Sequence, residues 1–426
     1  MKALWRALSL STLVVQLSCA SLPWSPFDSE ARTEARISEA VERVWVDDLP
    51  GAQKRISDVL EDAPGNPAAL VVQACLFLEQ GDLEAATRTV ARLDAVAPRQ
   101  PETHILQELL EERRRTPVPG WSESMRRAWV DAGAPDLEKE GLATNLTPRT
   151  LPLSPTVWEN TRSAEERFVA MLADGGTEDQ ERWLADHLSE LQDRGLMFSA
   201  LEYFQPREDR PPEVRARARQ VLRKRLAPLA AVETRESELP LMLLLVDTSL
   251  EAPLTQEEMA ALERLASLPL YTGTPMSQLY ADAERRLRAS GVTHPGAGPF
   301  MAAVMSIHTA APFWLLKRVD VTKDRLSAEE RMRLGRSVWT LGGRVASGPT
   351  LLEHQLGFRL MEQGAELMGD EAQRALAASE LRQGEAIRTA SNQILITRWP
   401  LPSLFREWMK ESVAHEWEHL GRLVEP

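Results

Sequence analysis

The stretch that decides the fold is PAALVVQACLFLEQGDLEAATRTVARLDAVAP, which spans residues 67–98. Large and small apolar residues recur in it at helical spacing on both sides of Gly81. Because small residues let two helices approach closely while large ones fill the gap between them, the pattern predicts a hairpin of two packed helices. Gly81 marks the turn of this hairpin, and Pro98 marks its end.

This hairpin resembles the tetratricopeptide repeat, whose period is about 34 residues. Pro64 and Pro98 are separated by that interval, and each closes a predicted hairpin. The positions that carry the resemblance, and that we expect to pack between the helices, are Leu70, Ala74, Phe77, Gly81, Ala86, Val90, Leu93 and Pro98. The resemblance implies stacked hairpins with a curved surface that binds peptides or partner proteins.

Fainter copies flank this hairpin. The segment Thr33–Pro64 keeps the same register, although Asp47 replaces the family's turn glycine. A third copy begins at Pro101 and supplies only its first helix. We therefore expect residues 32–115 to form two and a half repeats; an unrelated set of amphipathic helices is the alternative.

The N-terminus has the order of an export signal over residues 1–19. A short basic start with Lys2 and Arg6 precedes a mostly apolar run, and that run is too short to span a bilayer as a stable helix. Cys19 directly after it resembles the lipobox of bacterial lipoproteins, which implies a lipid on Cys19 and, because Ala20 follows, an outer-membrane location facing the periplasm. Residues 20–31 would then be a tether.

Two other interpretations of this N-terminus stay open. Ser18-Cys19-Ala20 has the small-x-small form of an ordinary cleavage site, which would give a soluble periplasmic protein. The apolar run could also be a buried helix of a cytosolic protein. The chain has only one other cysteine, Cys75, so no disulfide framework is expected.

Composition points to one fold class and argues against one class of partner. The 426 residues carry a net charge of −13, whereas a nucleic-acid binder normally shows a basic face, so we expect no nucleic-acid partner. Strand patterns with period two are nearly absent. We therefore predict an all-α protein: a short tetratricopeptide-like hairpin array followed by a larger irregular helical bundle.

The rest of the chain divides into a linker and this bundle. Residues 116–156 mix prolines with glycines and predict a linker, and residues 157–426 predict the helical domain. Pro299–Leu316 is apolar all round, so it should lie at the centre of the bundle, with a kink or break at Pro312 and His308 as a hydrogen-bonded core histidine. The helices expected around it are Ser327–Val345, Thr350–Met368, Asp370–Arg388 and Leu401–Val424.

One motif could carry chemistry. His415-Glu416-Trp417-Glu418-His419 has the spacing of the zinc-peptidase motif His-Glu-x-x-His, in which two imidazoles bind one metal ion and the glutamate polarises a bound water. Only seven residues follow His419, and they contain no histidine; their single acid, Glu425, is too close on the same helix, so a third ligand would have to come from upstream. The upstream candidates are His308, Glu353 and His354. We expect both histidines of the motif at an exposed helix end.

Two functions follow from these patterns. The first is a membrane-tethered helical adaptor of the bacterial cell envelope that needs no cofactor and binds other envelope proteins or peptides. The second is an exported zinc-dependent hydrolase, with His415 and His419 on the metal and Glu416 as the catalytic residue.

Overall fold

The structure is a computed structural model that describes residues 27–142, 153–206, 210, 212–246, 248–271 and 274–425. The predicted export signal with Cys19 lies outside the described residues, as does most of the predicted tether. Within the described ranges the regular elements are helices, and the one isolated β-bridge joins Glu236 and Leu270. The predicted all-α class is confirmed.

The first part of the described chain consists of sequential helical hairpins. Its helices are α1 (Phe27–Trp45), α2 (Leu49–Asp62), α3 (Pro67–Gln80), α4 (Leu83–Val96), α5 (Pro101–Arg114), α6 (Trp121–Asp131) and α7 (Leu137–Glu140). Each odd-numbered helix from α1 to α5 packs on the helix that follows it, and α3 also contacts both α1 and α5. Successive N-terminal hairpins are therefore packed one against the next.

The ends of the central hairpin show why the chain turns where it does. The Asn66 side chain accepts a hydrogen bond from the N–H of Ala69 at 2.9 Å and caps the start of α3. Gly81 ends α3 with a φ of +75°, a left-handed conformation that costs glycine little. Asp82 then caps α4 by accepting from the N–H of Ala85 at 2.9 Å.

The structure differs from the sequence prediction in the expected linker at residues 116–156. The chain forms the helix α6 there, and Met125, Ala128 and Trp129 are buried in the same core as α1–α5. Their spacing of three and four residues places them on one face of α6. Pro117, Pro119 and Gly120 precede this helix and Gly133 follows it, so they delimit it without interrupting it.

The second part of the described chain is a larger helical bundle. Its helices are α8 (Leu153–Asn160), α9 (Ala164–Asp174), α10 (Glu178–His187), α11 (Arg194–Tyr203), α12 (Pro212–Ala231), α13 (Glu238–Leu245), α14 (Gln256–Leu265), α15 (Met276–Ala289), α16 (Gly298–Met305), α17 (Ala310–Thr322), α18 (Ala328–Ala346), α19 (Leu351–Met368), α20 (Glu371–Ile394) and α21 (Pro402–Gly421). Most of these helices share a second core, whereas α20 and α21 contribute mainly to the core of the N-terminal hairpins.

The apolar segment Gly298–Arg325 is long and apolar enough, by length and composition, to cross a membrane. The structure divides it into α16 and α17, and 44 % of its most apolar window is buried. The break falls at residues 306–309 and not at Pro312, where the sequence predicted it. Pro312 lies in the first turn of α17, where its missing N–H has no helical acceptor to lose.

A buried ion pair ties this segment to its neighbours. Arg318 in α17 is 1 % exposed and donates to both carboxylate oxygens of Glu258 in α14, at 2.6 and 2.9 Å. Its other N–H groups donate to the carbonyls of Ala252 and Pro253 at 3.0 and 2.8 Å. These bonds satisfy the guanidinium, which a buried arginine requires.

The helices α18 and α19 approach each other through glycines. A Cβ atom added at Gly342 would lie 2.7 Å from the carbonyl oxygen of Gly357, and one added at Gly335 would lie 2.8 Å from that of Gly364. Gly335 and Gly342 are seven residues apart on α18, and Gly357 and Gly364 are seven residues apart on α19. The two glycines of each helix therefore lie on one face of that helix. No side chain larger than hydrogen fits along this contact without moving the helices apart.

Candidate functional site

The repeat positions that the sequence singled out lie mainly inside the hairpins. Leu70, Ala74, Ala86, Val90 and Leu93 are buried in the core of the N-terminal hairpins. Phe77 is half-buried and packs against that core, Gly81 forms the turn, and Pro98 is exposed after the end of α4. These contacts position α3 against α4.

The C-terminal part of the chain packs against the face formed by α1 and α3. The ring of Phe405 in α21 lies edge-on to Trp45 of α1, with ring centroids 5.0 Å apart. The Ser403 hydroxyl and N–H both donate to Glu79 of α3, at 2.5 and 3.0 Å. The α3 helix is therefore buried over most of its length, and its surface is occupied by the protein's own residues.

The His-Glu-x-x-His motif lies where α21 is kinked. His415 has φ −154° and ψ 69°, values outside the helical region, so the i and i+4 register between His415 and His419 is broken. His415 is exposed, whereas His419 is buried with its ring 4.5 Å from that of Trp408. The expectation of two histidines at an exposed helix end therefore fits His415 and does not fit His419.

Burial also sets the protonation state of His419. Its Nδ1 lies 2.7 Å from Oε2 of Glu411, but burial lowers the pKa of His419 to about 4, with Arg422 adding to the shift. The imidazole is therefore neutral near pH 7, so this contact is not an ion pair at that pH.

Glu416 of the motif has a structural partner. Its Oε2 accepts a hydrogen bond from the backbone N–H of Leu351 at 2.7 Å, at the first turn of α19. Burial raises the pKa of Glu416, and the nearby carboxylate of Glu353 adds to the rise. The N-terminus of α19, whose first N–H groups have no helical partner, thus gives the Glu416 carboxylate a structural role.

The three upstream residues considered as metal ligands have other partners. Glu353 accepts from the N–H and hydroxyl of Thr350, at 3.2 and 2.6 Å, and completes a capping box. His354 stacks on the ring of Trp417 with centroids 4.3 Å apart. His308 belongs to a separate buried network, described below. Among the residues that the structure describes, no group of three or more His, Cys, Asp or Glu side chains is arranged to hold a metal ion.

A cleft opens beside the kink of α21. Its volume is about 530 Å³, and it lies between α21, the turn before α19 and the segment that precedes α15. The polar residues that line it include Tyr271, Arg344, His354, His415 and Glu418. Three residues of the motif, His415, Trp417 and Glu418, thus line the cleft, whereas Glu416 and His419 do not.

A buried hydrogen-bonded chain joins Ser199, His308 and Glu238. Oγ of Ser199 lies 3.1 Å from Nε2 of His308, and Nδ1 of His308 lies 3.0 Å from Oε1 of Glu238. Burial lowers the pKa of His308, but the charge and hydrogen bond of Glu238, together with the charges of Glu202 and Glu353, raise it by more, so the net shift is upward. The core histidine expected from the sequence thus has partners that lie 109 and 70 residues away along the chain.

This chain has the connectivity of a serine nucleophile, a base and an orienting carboxylate. Ser199, however, is 1 % exposed, and its hydroxyl also donates to the carbonyl of Gly195 at 3.0 Å. A substrate carbonyl therefore cannot reach Oγ in this conformation. The network joins α11, α13 and the turn before α17.

Glu202 extends the network by one turn of α11. Its Oε1 accepts from the N–H groups of Thr309 and Ala310, at 3.2 and 2.8 Å, at the start of α17. The other oxygen, Oε2, is enclosed and has no hydrogen-bond partner among the described residues. Burial raises the pKa of Glu202 to about 7, and the charge of His308 limits the rise.

Comparisons of the chain with protein-family models, with curated proteins and with solved structures find no match in any of the three.

Proposed function

We propose that this protein is a helical scaffold of the bacterial cell envelope, tethered to the outer membrane by a lipid on Cys19, that binds other envelope proteins or peptides. The observation that carries the proposal is the stacking of the hairpins α1–α6, because repeat arrays of this kind serve as binding frameworks and carry no chemistry of their own. The basic-apolar-cysteine order of residues 1–19 supports the tether.

The contact between α21 and the repeats limits which surface a partner can use. Glu79 and Trp45, on the face formed by α1 and α3, already contact Ser403 and Phe405. A partner of the folded scaffold would therefore bind outside this face. The contact also supports a rigid framework, because the hairpins and the C-terminal helix share one core.

The tether is tested by substituting each of the two cysteines in turn. We expect Cys19→Ser to abolish incorporation of labelled fatty acid and to move the protein from the membrane fraction to the soluble periplasmic fraction. Cys75→Ala is the matched control, because Cys75 is fully buried and should keep both the label and the membrane location. Continued membrane association of Cys19→Ser would contradict the lipid anchor.

The partner is tested by photo-crosslinking in intact cells. A crosslinker at an exposed position of α4, such as Arg88, should capture an envelope protein. A crosslinker at Leu70, which is buried between helices, should yield only crosslinks within the chain. Equal yields of intermolecular product at the two positions would contradict a partner bound by the folded scaffold.

The alternative, a zinc-dependent hydrolase, has its support in the sequence motif alone. The kink at His415 and the hydrogen bond of Glu416 to Leu351 both weaken it. Elemental analysis of zinc in the wild type and in His419→Ala distinguishes the hydrolase from the scaffold. Stoichiometric zinc that is lost in the variant, together with a peptidase activity lost in Glu416→Gln, would overturn the scaffold proposal.

A further inference from the structure

The cleft beside Trp417 contains one positive and one negative side chain that have no ion-pair partner among the described residues. These are Arg344, in the last turn of α18, and Glu418, beyond the kink of α21. One N–H of Arg344 donates to the carbonyl of Leu265 at 3.3 Å. An arginine has five N–H donors, so the remaining ones are available to a ligand.

Arg344 is the fixed positive charge of this cleft. Burial lowers its pKa, and no carboxylate contributes an opposing shift. His354, the neighbouring imidazole, does not share this role, because burial lowers its pKa to about 4 and leaves it neutral near pH 7. A half-buried guanidinium without a counter-charge favours an anionic ligand, since Arg presents a planar pair of donors that matches a carboxylate.

Apolar residues line the cleft together with the polar ones. The apolar residues include Pro269, Leu270, Pro349 and Val413. The volume of about 530 Å³ lies within the range of pockets that hold small organic ligands, and it exceeds what a single amino acid fills. A ligand that pairs with Arg344 and Glu418 and also covers the apolar walls therefore carries a negative group, a positive group and an apolar body.

We propose that this cleft binds a short peptide with free termini. Arg344 pairs with the C-terminal carboxylate, Glu418 pairs with the N-terminal ammonium group, and the apolar side chains contact the proline and valine walls. The inference is independent of the scaffold proposal, because it requires neither the tether nor a protein partner.

The test uses the tripeptide leucyl-alanyl-leucine with the full mature chain. Isothermal titration calorimetry gives the affinity for the free tripeptide, for its N-acetyl form and for its C-terminal amide. We expect each blocked form to bind about tenfold more weakly, because each loses one charged hydrogen bond. These comparisons use the wild type, so they do not depend on how a variant folds.

The variants assign the two ends. Arg344→Gln should bind the free acid and the amide equally, and Glu418→Gln should bind the free and acetylated forms equally. Arg336→Gln is the matched control, because Arg336 is exposed on the same helix and does not line the cleft; it should keep the wild-type affinities.

The location is tested by indole N–H signals in nitrogen-15 spectra. The chain has 12 tryptophans, and the signal missing in Trp417→Phe identifies Trp417. We expect the tripeptide to move this signal. Absence of binding by the folded wild type, binding that leaves the Trp417 signal in place, or equal affinity for all three forms of the tripeptide would each overturn the proposal.

Discussion

The carboxylate of Glu416 accepts a hydrogen bond from the backbone N–H of Leu351, with Oε2 2.7 Å from the nitrogen. The first N–H groups of a helix have no helical partner, and a carboxylate at that end also interacts favourably with the helix dipole. Glu416 therefore joins α21 to the start of α19. This role accounts for a buried carboxylate without assigning it to a metal.

The first prediction separates this role from catalysis. Glu416→Ala leaves the N–H of Leu351 without its acceptor, so it should lower the free energy of unfolding by about 1–2 kcal/mol. Glu416→Gln keeps an acceptor oxygen and should stay close to the wild type. Denaturant unfolding measures both, and Glu418→Ala, at an exposed position, is the control with little expected change. Equal losses in the Ala and Gln variants would contradict the capping role.

The second prediction concerns pH and Glu202. Burial raises its pKa to about 7, above its ordinary value, so the folded state binds its proton more tightly than the unfolded state does. The contribution of Glu202 to stability is therefore present at low pH and is lost as the pH rises from about 4.5 to 7. The raised pKa of His308 has the same sign, with its loss at higher pH.

The measurement is the melting temperature as a function of pH. Glu202→Gln keeps an acceptor for the N–H groups of Thr309 and Ala310 but cannot ionise. Relative to the wild type, the variant should gain stability between pH 5 and 8, by on the order of 1–3 kcal/mol at the upper end. Parallel curves for the two proteins would show that Glu202 does not titrate in this window.

The third prediction tests the packing of the repeats. Ala86 has no exposed surface, so Ala86→Leu inserts atoms into a filled space and should cost about 1–3 kcal/mol. Ala91→Leu is the matched control, because Ala91 lies on the exposed side of the same helix and should change the free energy of unfolding little. Tolerance of leucine at both positions would contradict the repeat register.

Local sequence patterns predicted the helices better than they predicted the site. Ser327 and Asp370 mark the starts of α18 and α20 because their side chains cap backbone N–H groups three residues ahead. The hydrogen-bond partners of Glu416 and His308, unlike the residues that a helix cap contacts, lie far away along the chain. Leu351 is 65 residues from Glu416, and Ser199 is 109 residues from His308. No local pattern encodes such contacts, since only the packing of distant helices creates them.

The contact between α18 and α19 did have a sequence pattern that could have revealed it. Gly335 and Gly342 on one predicted helix, and Gly357 and Gly364 on the next, repeat at the same interval of seven residues. Glycine weakens a helix, so four of them at this spacing indicate a face that another backbone must approach. The spacing of these glycines therefore indicated where the backbones of the two helices approach each other.

The last prediction uses two adjacent glycines of α18 that should respond in opposite directions. A Cβ atom at Gly342 would meet the carbonyl oxygen of Gly357 at 2.7 Å, whereas one at Gly343 would meet no atom within 4 Å. Gly342→Ala should therefore force α18 and α19 apart and cost about 1–3 kcal/mol, or more if the helices cannot move. Gly343→Ala relieves the entropic cost of a glycine in a helix and should stabilise the protein by about 0.5–1 kcal/mol. Because both changes are the same substitution in the same helix, helix propensity cannot explain a difference between them. Thermal and denaturant unfolding of the two variants measure it, and a loss of stability in both would show that Gly343 also lies against a neighbouring element.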